Sequence, residues 1–149
     1  MDGSIPQTTE VSSIHWNSAG NKLVTSCSDM MARVWNVDED LNVEISRVKN
    51  FNVYLMQSKF CFENDSYVAT GGFMSQIYVW DASTQDSSQV ACFDHSQIDP
   101  NFKGLEIEWQ NSQKVAVTGK TKYIYLWSVE RQAEPVIRWE GHNDIVEQI

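Results

Sequence analysis

Apolar and polar residues alternate along short stretches of this chain, and no segment sustains a helical period over ten or more residues. Leu105, Ile107 and Trp109 fall on one face while Glu106 and Glu108 take the other, the period-two pattern of a half-buried strand. Val11, Ile14 and Trp16 mark an earlier run of this kind, and Phe60 and Phe62 another. A second strand follows each run: Lys22 to Cys27, Tyr67 to Gly71 and Val115 to Gly119. Asn, Ser, Asp and Gly precede it each time, residues suited to tight turns. A third strand ends on an indole in Arg33-Val34-Trp35, Tyr78-Val79-Trp80 and Tyr125-Leu126-Trp127, rich in the β-branched and aromatic residues that favour strands. The fourth reads Leu41 to Ile45, Gln89 to Phe93 and Pro135 to Trp139.

The three tryptophans recur at intervals of 45 and 47 residues. Another aromatic, Trp16, Phe62 or Trp109, stands 18 or 19 residues before each. A fixed repeat of this length, with four strands per unit, predicts an all-β fold and a partial β-propeller. It would have about three four-stranded blades, at 11–49, 53–93 and 104–140, plus the start of a further blade at 141–149. Residues 1–10 read as an irregular lead-in, and two polar connections, Asp81 to Ser88 and Ser96 to Lys103, look long. Three blades make an open arc with two bare flanks, because blades shield their faces by stacking on neighbours. The expectation is therefore a piece of a longer propeller. The alternative is an arc completed by self-association or by docking on another chain.

The 149 residues carry a net charge of −9, which argues against direct nucleic-acid binding because that requires a basic footprint. No apolar run reaches the ~20 residues of a membrane span, and the first residues do not form a secretory signal. Cys27, Cys61 and Cys92 are odd in number, each within a predicted strand, and read as reduced thiols. A nuclear or cytoplasmic address follows.

Candidate chemistry is sparse. Gly119-Lys120-Thr121 follows a Val-rich strand, but the phosphate-loop motif needs a glycine where Lys114 stands and a helix where Tyr123 to Trp127 predicts a strand. Gly71-Gly72 lacks the third glycine of a dinucleotide loop. His15, His95 and His142 have no partners at ligand spacing. No catalytic residue, cofactor site or metal site is expected. The sharper expectation concerns the turns between second and third strands, which lie together on one rim of a propeller. Met30, Met31, Phe73 and Met74, with Lys120 and Lys122, would form an adaptable partner-binding patch there. The competing expectation is that some of the methionines fill space inside the fold.

The markers resemble WD-repeat proteins. Trp80-Asp81 is the dipeptide of the family name, Asp29 lies six residues before Trp35, and His95 and Gly141-His142 stand ahead of the third and further repeats. In that family His, Asp and a Ser or Thr form a buried network tying strands together. The resemblance thus implies a structural blade network of Asp29, Trp35, Trp80, Asp81, His95, Trp127 and His142. Met74 and Thr121 occupy the Asp position in the later repeats, so the network should be broken there. Ser13-Ile14-His15-Trp16-Asn17-Ser18-Ala19-Gly20, Leu105-Glu106-Ile107-Glu108-Trp109-Gln110 and Pro135-Val136-Ile137 ahead of Gly141-His142 further resemble the transducin beta-like protein 1 family. This implies a non-catalytic nuclear adaptor of a co-repressor complex containing a histone deacetylase, with other proteins as partners. A scaffold for a ubiquitin ligase or a signalling platform is the alternative, and a propeller hydrolase a more distant one.

Overall fold

A computed structural model describes residues 9–146. These residues form twelve strands in three antiparallel sheets of four. The first holds β1 (Val11–Trp16), β2 (Lys22–Cys27), β3 (Met31–Val37) and β4 (Val43–Asn50). The second holds β5 (Leu55–Cys61), β6 (Asn64–Gly72), β7 (Gln76–Asp81) and β8 (Gln89–Asp94). The third holds β9 (Glu106–Asn111), β10 (Lys114–Thr118), β11 (Tyr123–Ser128) and β12 (Ile137–Glu140). Each sheet is an up-and-down meander in chain order. The fold class is therefore all-β, with three blades. Of the further blade, residues 147–149 lie outside the described residues, as do residues 1–8 of the expected lead-in.

Turn chemistry explains where the strands reverse. The Asn17 side-chain oxygen accepts from the backbone N–H groups of Asn21 and Lys22, and Gly20 supplies a φ of 71° within that turn. Asn64 and Asn111 accept in the same way from Ser66 and Gln113, two residues on. These local bonds satisfy backbone groups that the ladders leave open.

The sheets stack through two apolar layers. Between the first and second sheets, Val24, Ala32 and Val34 meet Leu55, Phe60, Val68 and Trp80. Between the second and third, Ala69, Ile77, Val79 and Phe93 meet Ile107, Trp109, Val117 and Trp127. Burying each large side chain is worth about 1.5–3 kcal/mol, so these layers supply the main driving force. Along the inner strands, side chains of one sheet satisfy the backbone of the next. Ser13 Oγ accepts from Ser58 N–H, His15 Nδ1 from Phe60 N–H and Gln57 Oε1 from Ile107 N–H. The open edges of β5 and β9 are thus paired by side chains rather than by a ladder.

Register corrects one expectation. Trp16 lies opposite Leu23, which pairs with Trp35, and Trp109 lies opposite Val115, which pairs with Trp127. In the second sheet the same row is Phe60, Val68 and Trp80. Phe60, not Phe62, is therefore the structural counterpart of Trp16 and Trp109. Phe60 is buried and Phe62 exposed. A register shift between Phe60 and Cys61 places Cys61 opposite Asn64 and lengthens this hairpin, so spacing alone selects the wrong aromatic. The fourth strand of the first sheet, expected over Leu41 to Ile45, instead runs from Val43 to Asn50, with Asn50 opposite Met31.

Candidate functional site

The three indoles are held by different acceptors. Trp35 Nε1 donates to Thr25 Oγ1 at 3.0 Å within the first sheet. Trp80 Nε1 donates to Thr70 Oγ1 at 3.0 Å. Thr70 Oγ1 is 2.7 Å from Ser58 Oγ, which accepts from Ser26 Oγ of the first sheet at 2.6 Å. This relay of three hydroxyls is buried throughout and crosses from one sheet to the next. Trp127 Nε1 donates to His95 Nε2 at 3.0 Å, and His95 Nδ1 is 3.0 Å from the Ser75 carbonyl. An indole N–H only donates and a carbonyl only accepts, so His95 is neutral with its proton on Nδ1. Phe102 stacks on this imidazole.

The other residues of the expected network stand elsewhere. Asp29 pairs with Arg33 at 2.7 Å on its own sheet and accepts from Met31 N–H. Hydrogen bonding from Arg33 holds its carboxyl below the usual range. Asp81 accepts from the N–H and hydroxyl of Ser83 in the following loop. His142 is exposed. The structure therefore does not gather Asp29, Asp81 and His142 with a tryptophan. At Met74 the aspartate is absent, and hydroxyls alone hold Trp80.

Burial is the leading cause of the shifts at two histidines, Tyr125 and two thiols. It lowers His95 from its ordinary value to about 4, and lowers His15, with a further push from Lys59. It raises Tyr125 to about 12, aided by the carboxylate of Asp99, to which the phenol donates at 3.1 Å. Burial likewise raises the Cys61 and Cys92 thiols, which disfavours the thiolate a nucleophile requires. Among the described residues no three His, Cys, Asp or Glu side chains gather as metal ligands. Gly119-Lys120-Thr121 forms the turn from β10 to β11, with Gly119 at φ 144° and Lys120 at φ 53°. A side chain at Gly119 would collide with the Lys103 carbonyl, so the glycine serves a close backbone approach.

The rim turns are joined by the connections between sheets. Phe51 N–H donates to the Met30 carbonyl, and Phe73 N–H to the Tyr54 carbonyl. Met30, at φ 73°, is 40% exposed and Phe73 48% exposed, while Met31 is partly buried. Tyr54 sits edge-on to Phe73 with ring centroids 5.4 Å apart and is itself exposed. Met74 is not part of this surface. It is 8% exposed and packs with Leu55, Phe60 and Trp80. An apolar side chain at the aspartate position has turned inward, where burial favours it. Tyr54 carries no sequence signal of a surface role, because it stands between the apolar Val53 and Leu55. Further along the rim, Lys120 is exposed, and Lys122 lies 3.7 Å from Glu140 and over the Tyr123 ring. Together with Asp99, Asn101 and Asp144 they line an open hollow of about 400 Å³.

The described backbone superposes on solved propellers. One, described as the structure of U3-55K, gives a TM-score of 0.77 at 12% identity, over 97% of this chain and 43% of that one. Another, from a crystal structure of the mitotic checkpoint complex, gives 0.76 at 16% identity, over 96% and 41%. The fold is a partial β-propeller. In sequence, the chain is 28% identical over 145 residues to the F-box-like/WD repeat-containing protein TBL1X of Mus musculus. It is 27% identical to TBL1Y of Homo sapiens over the same length. Each alignment covers 97% of the chain, which spans about a quarter of the length of these relatives. No protein-family model matches the chain.

Proposed function

We propose that this chain is a non-catalytic scaffold that displays rim side chains to protein partners, within a nuclear co-repressor assembly containing a histone deacetylase. The observation that carries this reading is the similarity to TBL1X along 97% of the chain. The exposed Met30, Tyr54 and Phe73 support it, because polarizable and aromatic side chains adapt to a partner surface. The raised thiols and the neutral, indole-bound His95 offer no activated nucleophile or base.

Affinity capture from nuclear extract with the 149-residue chain tests this reading, with identification of the retained proteins. Retention of a histone deacetylase subunit is the expected result, and Met30→Ser with Phe73→Ser should reduce it at least ~10-fold, as loss of central contacts does. Retention of ubiquitin-ligase subunits instead would support the alternative assembly. Retention that is indifferent to both substitutions would remove the rim from the model.

A further inference from the structure

The polar connection from Asp81 to Ser88 joins β7 to β8 of the second sheet, but the first sheet holds it. Arg47 of β4 donates through Nε to the Thr84 carbonyl at 2.8 Å and through Nη2 to the Ser83 carbonyl at 3.4 Å. Lys49 Nζ donates to the Ser87 carbonyl at 2.8 Å. The two cations stand opposite Val34 and Ala32, so they share the face that packs on the second sheet. Among the described residues neither forms an ion pair, although Arg33 and Lys59 each pair with a carboxylate. A carbonyl accepts a hydrogen bond without supplying a counter-charge. Two positive charges therefore lie at this seam without a paired anion, in a chain whose net charge is −9.

The connection carries four hydroxyls, and the structure makes them unequal. Ser87 is buried. Thr84 Oγ1 donates to the Asp81 carbonyl and accepts from Ser88 N–H, so it closes the loop from inside. Ser88 is partly buried and donates to Asp86 at 2.7 Å. Ser83 is the exposed one, and its Oγ donates to the Asp81 carboxylate at 2.5 Å. Asp81 stands two residues before Ser83 and Asp86 three after it, which suits an enzyme with a basic substrate groove.

We propose that Ser83 is a phosphorylation site whose phosphate is received by Arg47 across the seam between the first and second sheets. A protein kinase carries out the transfer, with a nucleoside triphosphate as donor. Ser83 Oγ forms a bond to the terminal phosphorus, the bond from that phosphorus to the bridging oxygen breaks, and a nucleoside diphosphate leaves. The hydroxyl proton passes to a base of the kinase. The product carries about −1.5 to −2 charges at pH 7 and three acceptor oxygens. Its dianion cannot donate to Asp81, and the two anions repel. The phosphate therefore turns from Asp81 toward the guanidinium that already reaches the Ser83 carbonyl. This adds a charge-assisted pair to a contact otherwise made with neutral carbonyls. The connection lies at the end of its sheet opposite the rim turns, so the site holds whether or not the rim binds a partner.

Treatment of the full 149-residue chain with ATP, magnesium and a kinase selective for an acidic residue three positions after serine tests this. One added phosphoryl group is expected by intact mass, placed on Ser83 by fragmentation and absent from Ser83→Ala. Phosphorus NMR then reads the contact. The phosphate should titrate at least ~0.5 in pH below the ~6 of phosphoserine, because a facing cation favours the charged form. Arg47→Gln should return it to that value, and Arg47→Lys, which keeps the charge, should retain part of the shift. Circular dichroism checks that each variant folds. If Arg47→Gln does not, the unsubstituted phosphoprotein is titrated at rising salt, and the shift should shrink as salt screens the pair. Modification at Thr84 or Ser88 instead of Ser83, or no modification, overturns the site. A phosphate that titrates as free phosphoserine does, or a shift that survives Arg47→Gln or high salt, overturns its reception by Arg47.

Discussion

Between the first and second sheets the buried indole of Trp80 is held by hydroxyls, whereas between the second and third that of Trp127 is held by an imidazole. Both layers close over the same row of residues and both satisfy the indole N–H. What the repeat requires is an acceptor at that point, because an unpaired buried donor costs about 1–3 kcal/mol. It does not require a particular acceptor. The choice has consequences nonetheless. A hydroxyl relay is insensitive to pH, while an imidazole accepts only when neutral.

The largest test of this comparison is truncation. Trp80→Ala and Trp127→Ala should each lose about 3–5 kcal/mol, measured by urea denaturation, since both side chains are fully buried. Trp35→Ala should lose clearly less, because its indole is partly exposed.

Acid separates the layers next. The folded pKa of His95, about 4, lies below its ordinary 6.5. As pH falls, the unfolded chain takes up the proton first. Stability is therefore full above pH 6.5 and declines as pH falls from there toward about 4, by about 3 kcal/mol for that shift. His95→Gln should flatten the pH dependence of the urea midpoint. His15→Gln should do so less, as that ring is only partly buried. An unchanged profile for His95→Gln would show that the imidazole does not titrate as placed.

The hydroxyl relay gives a smaller effect. Ser58→Ala removes its middle member and should cost about 1–3 kcal/mol, with the pH profile unchanged. Coupling between Ser26→Ala and Ser58→Ala in a double-mutant cycle would confirm that they act together, and strict additivity would argue against a relay. Smallest of all, Asp29→Asn breaks a pair with Arg33 that is about a quarter exposed, and should cost below ~1 kcal/mol. A loss near that of Ser58→Ala would mean that Asp29 belongs to the blade network after all.

Much of the fold is legible in the chain because strands announce themselves locally. Alternation in Glu106 to Asn111 and the indole-ended third strands depend on neighbours in sequence. Phe62 misled because a hairpin can absorb extra residues without changing its pattern, and only pairing shows that Phe60 fills the row. Met74 misled for a related reason. A methionine in a turn reads the same whether it faces solvent or the core, and the layer behind it decides. Tyr54 was hidden in an apolar run whose exposure depends on where the connection crosses the rim.

The repeat, the four strands of each unit and the tryptophan at the end of the third are written in local sequence. These follow from alternation, β-propensity and turn residues, whose physics is complete within a few neighbours. The tertiary structure alone decided which acceptor each indole meets, since Ser26 and Ser58 are joined across 32 residues, as are His95 and Trp127. It also decided which methionine is exposed. Burial depends on what packs against a side chain, and the partner belongs to another blade.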